Sequence, residues 1–149
     1  MAAGIYVGST SGYSGKNMVI MGLGLRLQKD GYDVGYMKPV GAMPHERGGV
    51  LGDEDAFFVQ DVLGLDEPAE KVTPVLVTQD FKVKAFSGQC EDYMPAITSA
   101  YRDLSSRHDV MVVAGSGSMY SGRYCNVDGI RVVKELGIKA IIIDRLHKE

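Results

Sequence analysis

A lysine closing a glycine- and serine-rich turn is suited to holding an anion, and Gly15-Lys16 closes such a turn. Residues 8–17 read Gly8-Ser9-Thr10-Ser11-Gly12-Tyr13-Ser14-Gly15-Lys16-Asn17. They lie between an apolar run, Ile5-Tyr6-Val7, and a helical pattern that begins near Gly15. Three physical features point to phosphate binding. Glycines let successive backbone N–H groups turn inward. A helix N-terminus adds unpaired donors and the positive end of its dipole. The Lys16 side chain adds a mobile positive charge able to reach phosphate oxygens. Hydroxyls of Thr10, Ser11 and Ser14 offer further donors. Ser11, Gly12, Tyr13, Ser14, Gly15, Lys16 and Asn17 are therefore the candidate positions for a nucleotide or another phosphate-bearing ligand.

The sequence pattern for a phosphate-binding loop of this type (a P-loop) is G-x-x-x-x-G-K-[ST]. This chain departs from it twice. Thr10 stands at the first glycine, and Asn17 stands where a Ser or Thr hydroxyl would meet Mg²⁺. Position supports the assignment, because the loop follows the first predicted strand and precedes a helix. The alternative is a plain strand-to-helix turn with an exposed lysine.

The elements that must position this loop alternate between short apolar runs and helical patterns. Gly15 to Lys29 is predicted helical and ended by Gly31. Asp33 to Met37 is predicted as a strand stopped by Pro39. Residues 41–52 are glycine-rich and read as a loop. Asp53 to Leu63 reads as a helix, Pro74 to Val77 as a short strand or extended edge, and Asp92 to Arg107 as a helix with Pro95 in its first turn. Val110 to Ala114 is a β-branched strand run. Gly115 to Asn126 is a second Gly/Ser-rich loop, Val127 to Leu136 a helix ended by Gly137, and Ile138 to Ile143 a buried strand. Near-continuous apolar strands alternating with helices predict a single three-layer α/β/α domain over residues 1–149 with a mainly parallel sheet.

Composition excludes some functions. The net charge of −3 and pI near 5.6 argue against general nucleic-acid binding, which needs a basic surface. The apolar run Met18 to Leu25 is too short for a bilayer, which takes about 20 residues, and reads as a buried helix, so no membrane role is expected. Two cysteines, Cys90 and Cys125, cannot build a zinc site alone. They read as apolar free thiols, in keeping with a cytoplasmic setting. His45, His108 and His147 read as surface residues, and the eight methionines as core filler.

Two later segments extend the loop motif. Gly35-Tyr36-Met37-Lys38-Pro39-Val40 closes the second strand, and Asp109 to Ser118 closes a later strand with a Gly115-Ser116-Gly117-Ser118 turn. With the Gly15-Lys16 loop, these segments resemble dethiobiotin synthetase and the related cobyrinic acid a,c-diamide synthase group of P-loop proteins. They resemble in particular the dethiobiotin-synthetase-like domain at the front of some phosphotransacetylase-related and DRTGG-containing proteins. The resemblance covers about Ile5 to Ile143. It implies ATP as cofactor with Lys16 on its phosphates, Lys38 as a substrate or carbamate contact, Asp55 within Asp53-Glu54-Asp55 as a Mg²⁺ ligand, and pairing into a homodimer. It also implies that the chain stops early at its C-terminal side relative to the family, as a shortened relative, a fragment, or a domain completed by a partner.

Bland readings stand beside these. Lys38 fits either a solvent-facing strand end or a site at a strand's carboxyl end. Asp53-Glu54-Asp55 fits a helix N-terminus complementing the dipole as well as it fits a metal ligand. Ser116 and Gly117 fit a substrate subsite or an ordinary turn. Tyr120 and Tyr124 fit the lining of the same cleft but are assigned no role. Ala114 stands where the family has an acidic residue, so the implied Mg²⁺ set keeps Asp55, alters at Asn17 and loses a carboxylate at Ala114. Two functions remain open: an ATP-dependent ligase using Lys16 and Lys38, and a non-catalytic nucleotide-sensing module.

Overall fold

The computed structural model describes residues 1–146, so the expectation for His147 lies outside the described residues. In chain order the first elements are β1 (Ala3–Ser9), α1 (Lys16–Lys29), β2 (Val34–Met37), β3 (Val40–Gly41), β4 (Pro44–Arg47), β5 (Val50–Asp53) and α2 (Glu54–Leu63). Then follow α3 (Ala69–Val72), β6 (Val75–Leu76), α4 (Gln79–Phe86), α5 (Met94–Ser105), β7 (Val110–Ala114), a 3₁₀ turn (Arg123–Cys125), α6 (Gly129–Leu136) and β8 (Lys139–Ile143).

The central sheet is parallel throughout, in the order β2-β7-β1-β8. Alternate residues of each strand point to opposite faces, which separates two cores. Tyr6, Met37, Met111 and Val113 pack under α4, α5 and α6 through Phe81, Ile97, Leu104 and Val132. Val7, Val34, Tyr36 and Val112 pack under α1 and α2 through Ile20, Ala56, Val59 and Leu63. The result is the expected α/β/α sandwich. The chain leaves β1 for a helix on one face and β7 for a helix on the other, so a crevice opens between their carboxyl ends, where open α/β sheets place ligands.

Several local expectations are corrected. Residues 41–52 are not a plain loop: β4 and β5 form an antiparallel hairpin turned by Gly48 and Gly49, with φ 60° and 80°. α1 is not a buried helix. Ile20 and Gly24 are its buried residues, while Met18, Val19 and Leu25 are exposed. β8 is not buried either, because it lies at the sheet edge with Ile141 and Ile142 more than 40% exposed. α6 begins two residues late, since Asp128 caps it by accepting from the Arg131 amide. α3 and α4 were not foreseen, α4 being capped by Thr78.

The cysteines are not free thiols. Cys90 and Cys125 form a disulfide, which removes the ground on which a reducing compartment was expected. His108 is not a simple surface residue. Its two ring nitrogens bridge Asp33 at 2.8 Å and Glu67 at 3.0 Å, tying β2 and the α2–α3 connection to the start of β7. Methionine use is mixed: Met37, Met94 and Met111 are core, whereas Met1, Met18 and Met43 are exposed. No helix among the described residues is long and apolar enough to cross a membrane.

Candidate functional site

The loop between β1 and α1 sits at the crevice because β1 ends there. Ser9, the last residue of β1, is fully buried. Gly15 then takes φ 85°, a left-handed conformation that any side chain would strain, and starts α1. It has no side chain with which to cap the helix. α2, α4 and α6 each cap their first turn with an Asp or Thr of their own, whereas α1 has no side-chain cap. Among the described residues, the amides of residues 12–16 donate to no protein acceptor. Unpaired amides at a helix N-terminus are a ready anion site.

The Lys16 ammonium turns back into this loop. It donates to Ser9 Oγ at 2.9 Å and to the Gly117 carbonyl at 2.8 Å. Both acceptors are neutral. Burial and the positive charge of Lys38 lower its pKa from the ordinary 10.5, with Asp55 opposing. That mutual influence brings Lys16, Lys38 and Asp55 into one electrostatic neighbourhood. Gly117 has φ 63°, and a Cβ there would lie 2.3 Å from Ser121 Oγ, so the turn presenting this carbonyl depends on glycine. The loop hydroxyls mostly satisfy the loop itself: Ser14 Oγ donates to the Ser11 carbonyl at 2.7 Å and lies 3.0 Å from Ser11 Oγ. Thr10, at the position of the missing first glycine, donates its hydroxyl to Asp144. Tyr13 has φ 54° and a fully exposed ring, and Asn17 lies half-buried in the first turn of α1.

Lys38 is held quite differently. It is 4% exposed, and its ammonium contacts Asp53 Oδ1 at 2.8 Å and Asp55 Oδ2 at 3.1 Å. Asp53 also caps α2 through the Ala56 amide at 3.0 Å and accepts from the Met43 amide at 3.1 Å. A carboxylate buried to 1% exposure is thus paired on every side, as burial of a charge requires. The acidic cluster serves as helix cap and counter-ion together.

The described residues form no all-protein cage for Mg²⁺, an ion usually held by one or two carboxylates together with phosphate oxygens and waters. The ion needs hard oxygen ligands in near-octahedral array. Here the carboxylates of Asp53 and Asp55 are taken by an ammonium, and Ala114 brings none. Among the described residues, no group of three or more His, Cys, Asp or Glu side chains could hold a metal ion.

Beside Lys16, the segment after β7 forms one wall of a cleft of about 320 Å³. Ser116, Tyr120, Ser121, Arg123 and Tyr124 line that wall, and Val40, Ala42 and Val77 line the other. The structure thus brings Lys16 to Gly117 and Ser116 to the cleft, and fixes Lys38 on Asp53 and Asp55. Sequence reasoning missed Ser9, Asp53 as the main partner of Lys38, and Arg123, whereas Tyr120 and Tyr124, raised as residues that could line the cleft, do line it. The Asp53 cap was detectable, since an Asp preceding a helical pattern is an N-cap signal. The cleft tyrosines carried no local signal.

Comparison with known proteins agrees with this geometry. The AAA domain family (AAA_26) matches residues 3–149. The ATP-dependent dethiobiotin synthetase of Methanococcus vannielii is 29% identical over 143 residues, 95% of this chain and 64% of the relative. That of Methanocaldococcus jannaschii is 26% identical over 147 residues, 95% of this chain and 65% of the relative. That of Caldicellulosiruptor saccharolyticus is 25% identical over 117 residues, 77% of this chain and 48% of the relative. The chain therefore spans less than two thirds of the length of these relatives. A glycine-started helix with a lysine folded into its loop, on a parallel sheet, and a family match over nearly the whole chain lead to one conclusion: the chain belongs to the AAA domain family, as a P-loop protein similar to ATP-dependent dethiobiotin synthetases.

Proposed function

We propose that this chain binds ATP, with the phosphates seated on the amides of residues 12–16 and neutralised by Lys16. The observation that carries the reading is the state of the Lys16 ammonium. It is pointed into the loop but held only by Ser9 Oγ and the Gly117 carbonyl. Phosphate oxygens are stronger acceptors for an ammonium than neutral oxygens are, so an incoming triphosphate can replace these two contacts without leaving a buried charge unpaired. The dethiobiotin synthetases that the chain resembles are named for ATP dependence, which favours ATP among phosphate-bearing ligands.

Carboxylate–amine ligation of the dethiobiotin synthetase type is the enzymatic form of this proposal. Ser116 and Gly117 would border the substrate and Lys38 would orient it. A second reading is favoured by a specific observation: Lys38 is neutralised by Asp53 and Asp55, and Ala114 supplies no carboxylate. That arrangement suits a module that binds nucleotide and does not turn it over with a protein-held metal.

Equilibrium titration with ATP, with and without Mg²⁺ and with Lys16→Ala as control, separates the readings. Metal-independent binding that Lys16→Ala abolishes, with no phosphate release, supports the sensing module. Phosphate release that requires Mg²⁺ and a carboxylate–amine substrate supports the ligase. Absence of ATP binding to the unaltered chain overturns the proposal.

A further inference from the structure

The disulfide joins two segments that otherwise meet only through side chains. Cys125 ends the 3₁₀ turn that follows Tyr120, Ser121 and Gly122, so it is buried directly behind Arg123 and Tyr124 of the cleft wall in the chain. Cys90 lies in the connection between α4 and α5. The end of α4 meets the same wall in a ring stack, Phe86 on Tyr124 at 5.6 Å and 10°, and the connection meets α6 where Arg131 lies 3.6 Å from Asp92. Both of these are solvent-exposed contacts, which contribute little by themselves. The disulfide is therefore the strong tie.

Other restraints on the wall sit mainly at its far end, where Cys125 and Val127 pack into the core and Arg131 donates to the Asn126 carbonyl. Between β7 and α6 its regular structure is three residues of 3₁₀ turn. It is anchored by the Met119 amide on the Ser9 carbonyl and the Gly129 amide on the Met119 carbonyl, each at 3.0 Å. Its near end supplies the Gly117 carbonyl that receives the Lys16 ammonium. One short stretch thus links the disulfide, the cleft and the phosphate-loop lysine.

We propose that the Cys90–Cys125 disulfide is a reducible latch on this wall, so that a dithiol reductant loosens residues 116–127 and changes ligand affinity at the Lys16 site. The proposal rests on the reading of that site as an ATP site. The two sulfurs are unequal in access. Cys90 is exposed and Cys125 is 2% exposed, so a thiolate reaches the Cys90 Sγ first. Its attack forms a mixed disulfide with Cys90 and expels Cys125 as a thiolate, which takes up a proton. The reductant's second thiol then attacks the mixed disulfide, releasing Cys90. The dithiol ends as a cyclic disulfide and the protein gains two thiols, a balanced two-electron exchange. Disulfides that act as switches are of this exposed kind, whereas purely structural ones resist reduction.

The test uses the whole chain, oxidised with glutathione disulfide or reduced with dithiothreitol, together with Cys90→Ser, a change at an exposed position. Thiols are counted by alkylation and mass, amide hydrogen exchange is followed by peptide, and ATP affinity is titrated. Reduction and Cys90→Ser should each speed exchange in residues 116–127 by about tenfold, with helix α1 unchanged, because a local tie is lost without global unfolding. ATP affinity should shift by about threefold or more in the same direction in both, as expected when the segment that holds the Lys16 ammonium in the free protein is loosened. Two free thiols after oxidation, unchanged exchange, or faster exchange with unchanged ATP affinity would each overturn the latch. If neither form binds ATP yet exchange responds, the ATP assignment fails and the reducible wall stands.

Discussion

Lys16 and Lys38 follow β1 and β2, the two strands that flank β7, at the carboxyl edge of one parallel sheet, yet their ammonium groups have opposite fates. Lys38 is buried between two carboxylates, one of which is itself buried and shared with a helix N-terminus. Lys16 is half-buried and meets only a hydroxyl and a carbonyl. A charge already neutralised holds the fold together, whereas a charge held by neutral dipoles is kept for something that arrives. Under the proposed function, the contrast makes Lys38 first a structural group and Lys16 first a ligand group.

Stability is where the contrast should be largest. Lys38→Met leaves the Asp53 carboxylate buried without its cation, and breaking such a pair costs about 3–5 kcal/mol. Lys16→Met removes hydrogen bonds to neutral acceptors together with a partly desolvated charge, and should stay within about 1 kcal/mol of the unaltered chain. Urea unfolding of the two variants measures both. Equal losses would erase the distinction.

Affinity should reverse the order. Lys16→Ala should weaken ATP binding by about 10–100-fold, the worth of a charge-assisted contact to phosphate. Asp55→Asn, which leaves Asp53 on Lys38, should change ATP affinity by less than about threefold. Isothermal titration gives both numbers, and a large effect of Asp55→Asn would return that residue to the ligand site.

The pH dependence sharpens the same point. Burial and Lys38 lower the Lys16 pKa from 10.5, so the folded chain releases this proton before the unfolded chain does. Between the lowered value and 10.5 the unfolded state binds more protons, so this group's contribution to stability rises with pH. Below that window both states are protonated and the cost of desolvation is present in full. ATP affinity should run the opposite way, falling as pH rises through the lowered value, because the neutral amine cannot balance phosphate charge. Lys16→Arg should flatten that fall, since a guanidinium stays protonated. Affinity that is level up to pH 10.5 in the unaltered chain would contradict the account.

The smallest effect is expected at the altered loop position. Asn17→Thr restores a hydroxyl but no carboxylate, so metal-free ATP affinity should move by less than about threefold. A strong Mg²⁺-dependent gain in phosphate release from this one change would show that Asn17 alone silences the chemistry, and would favour the ligase reading.

Much of the fold was legible because its signals are local. Ile5-Tyr6-Val7 and Val110 to Ala114 are apolar runs, largely β-branched or aromatic, that suit a buried parallel strand, and glycines at 31 and 137 follow helices where a left-handed residue is needed. The hairpin at 44–53 was missed because β4 and the first half of β5 are exposed and carry no apolar alternation. β8 looked buried because Ala140 to Ile143 is apolar throughout. Burial depends on neighbours, and this strand has a partner on one side only.

The candidate site divides along the same line. The residue types and spacing of 8–17 determined that β1 would hand over to a helix through a glycine at a special backbone angle with a lysine behind it, since backbone sterics and helix ends act within a few residues. Only the tertiary structure decided what each charge would meet. Gly117 lies 101 residues from Lys16, Asp53 lies 15 from Lys38, and the two cysteines are 35 apart. Pairings over such distances are set by how strands are ordered and helices packed, which no local pattern encodes.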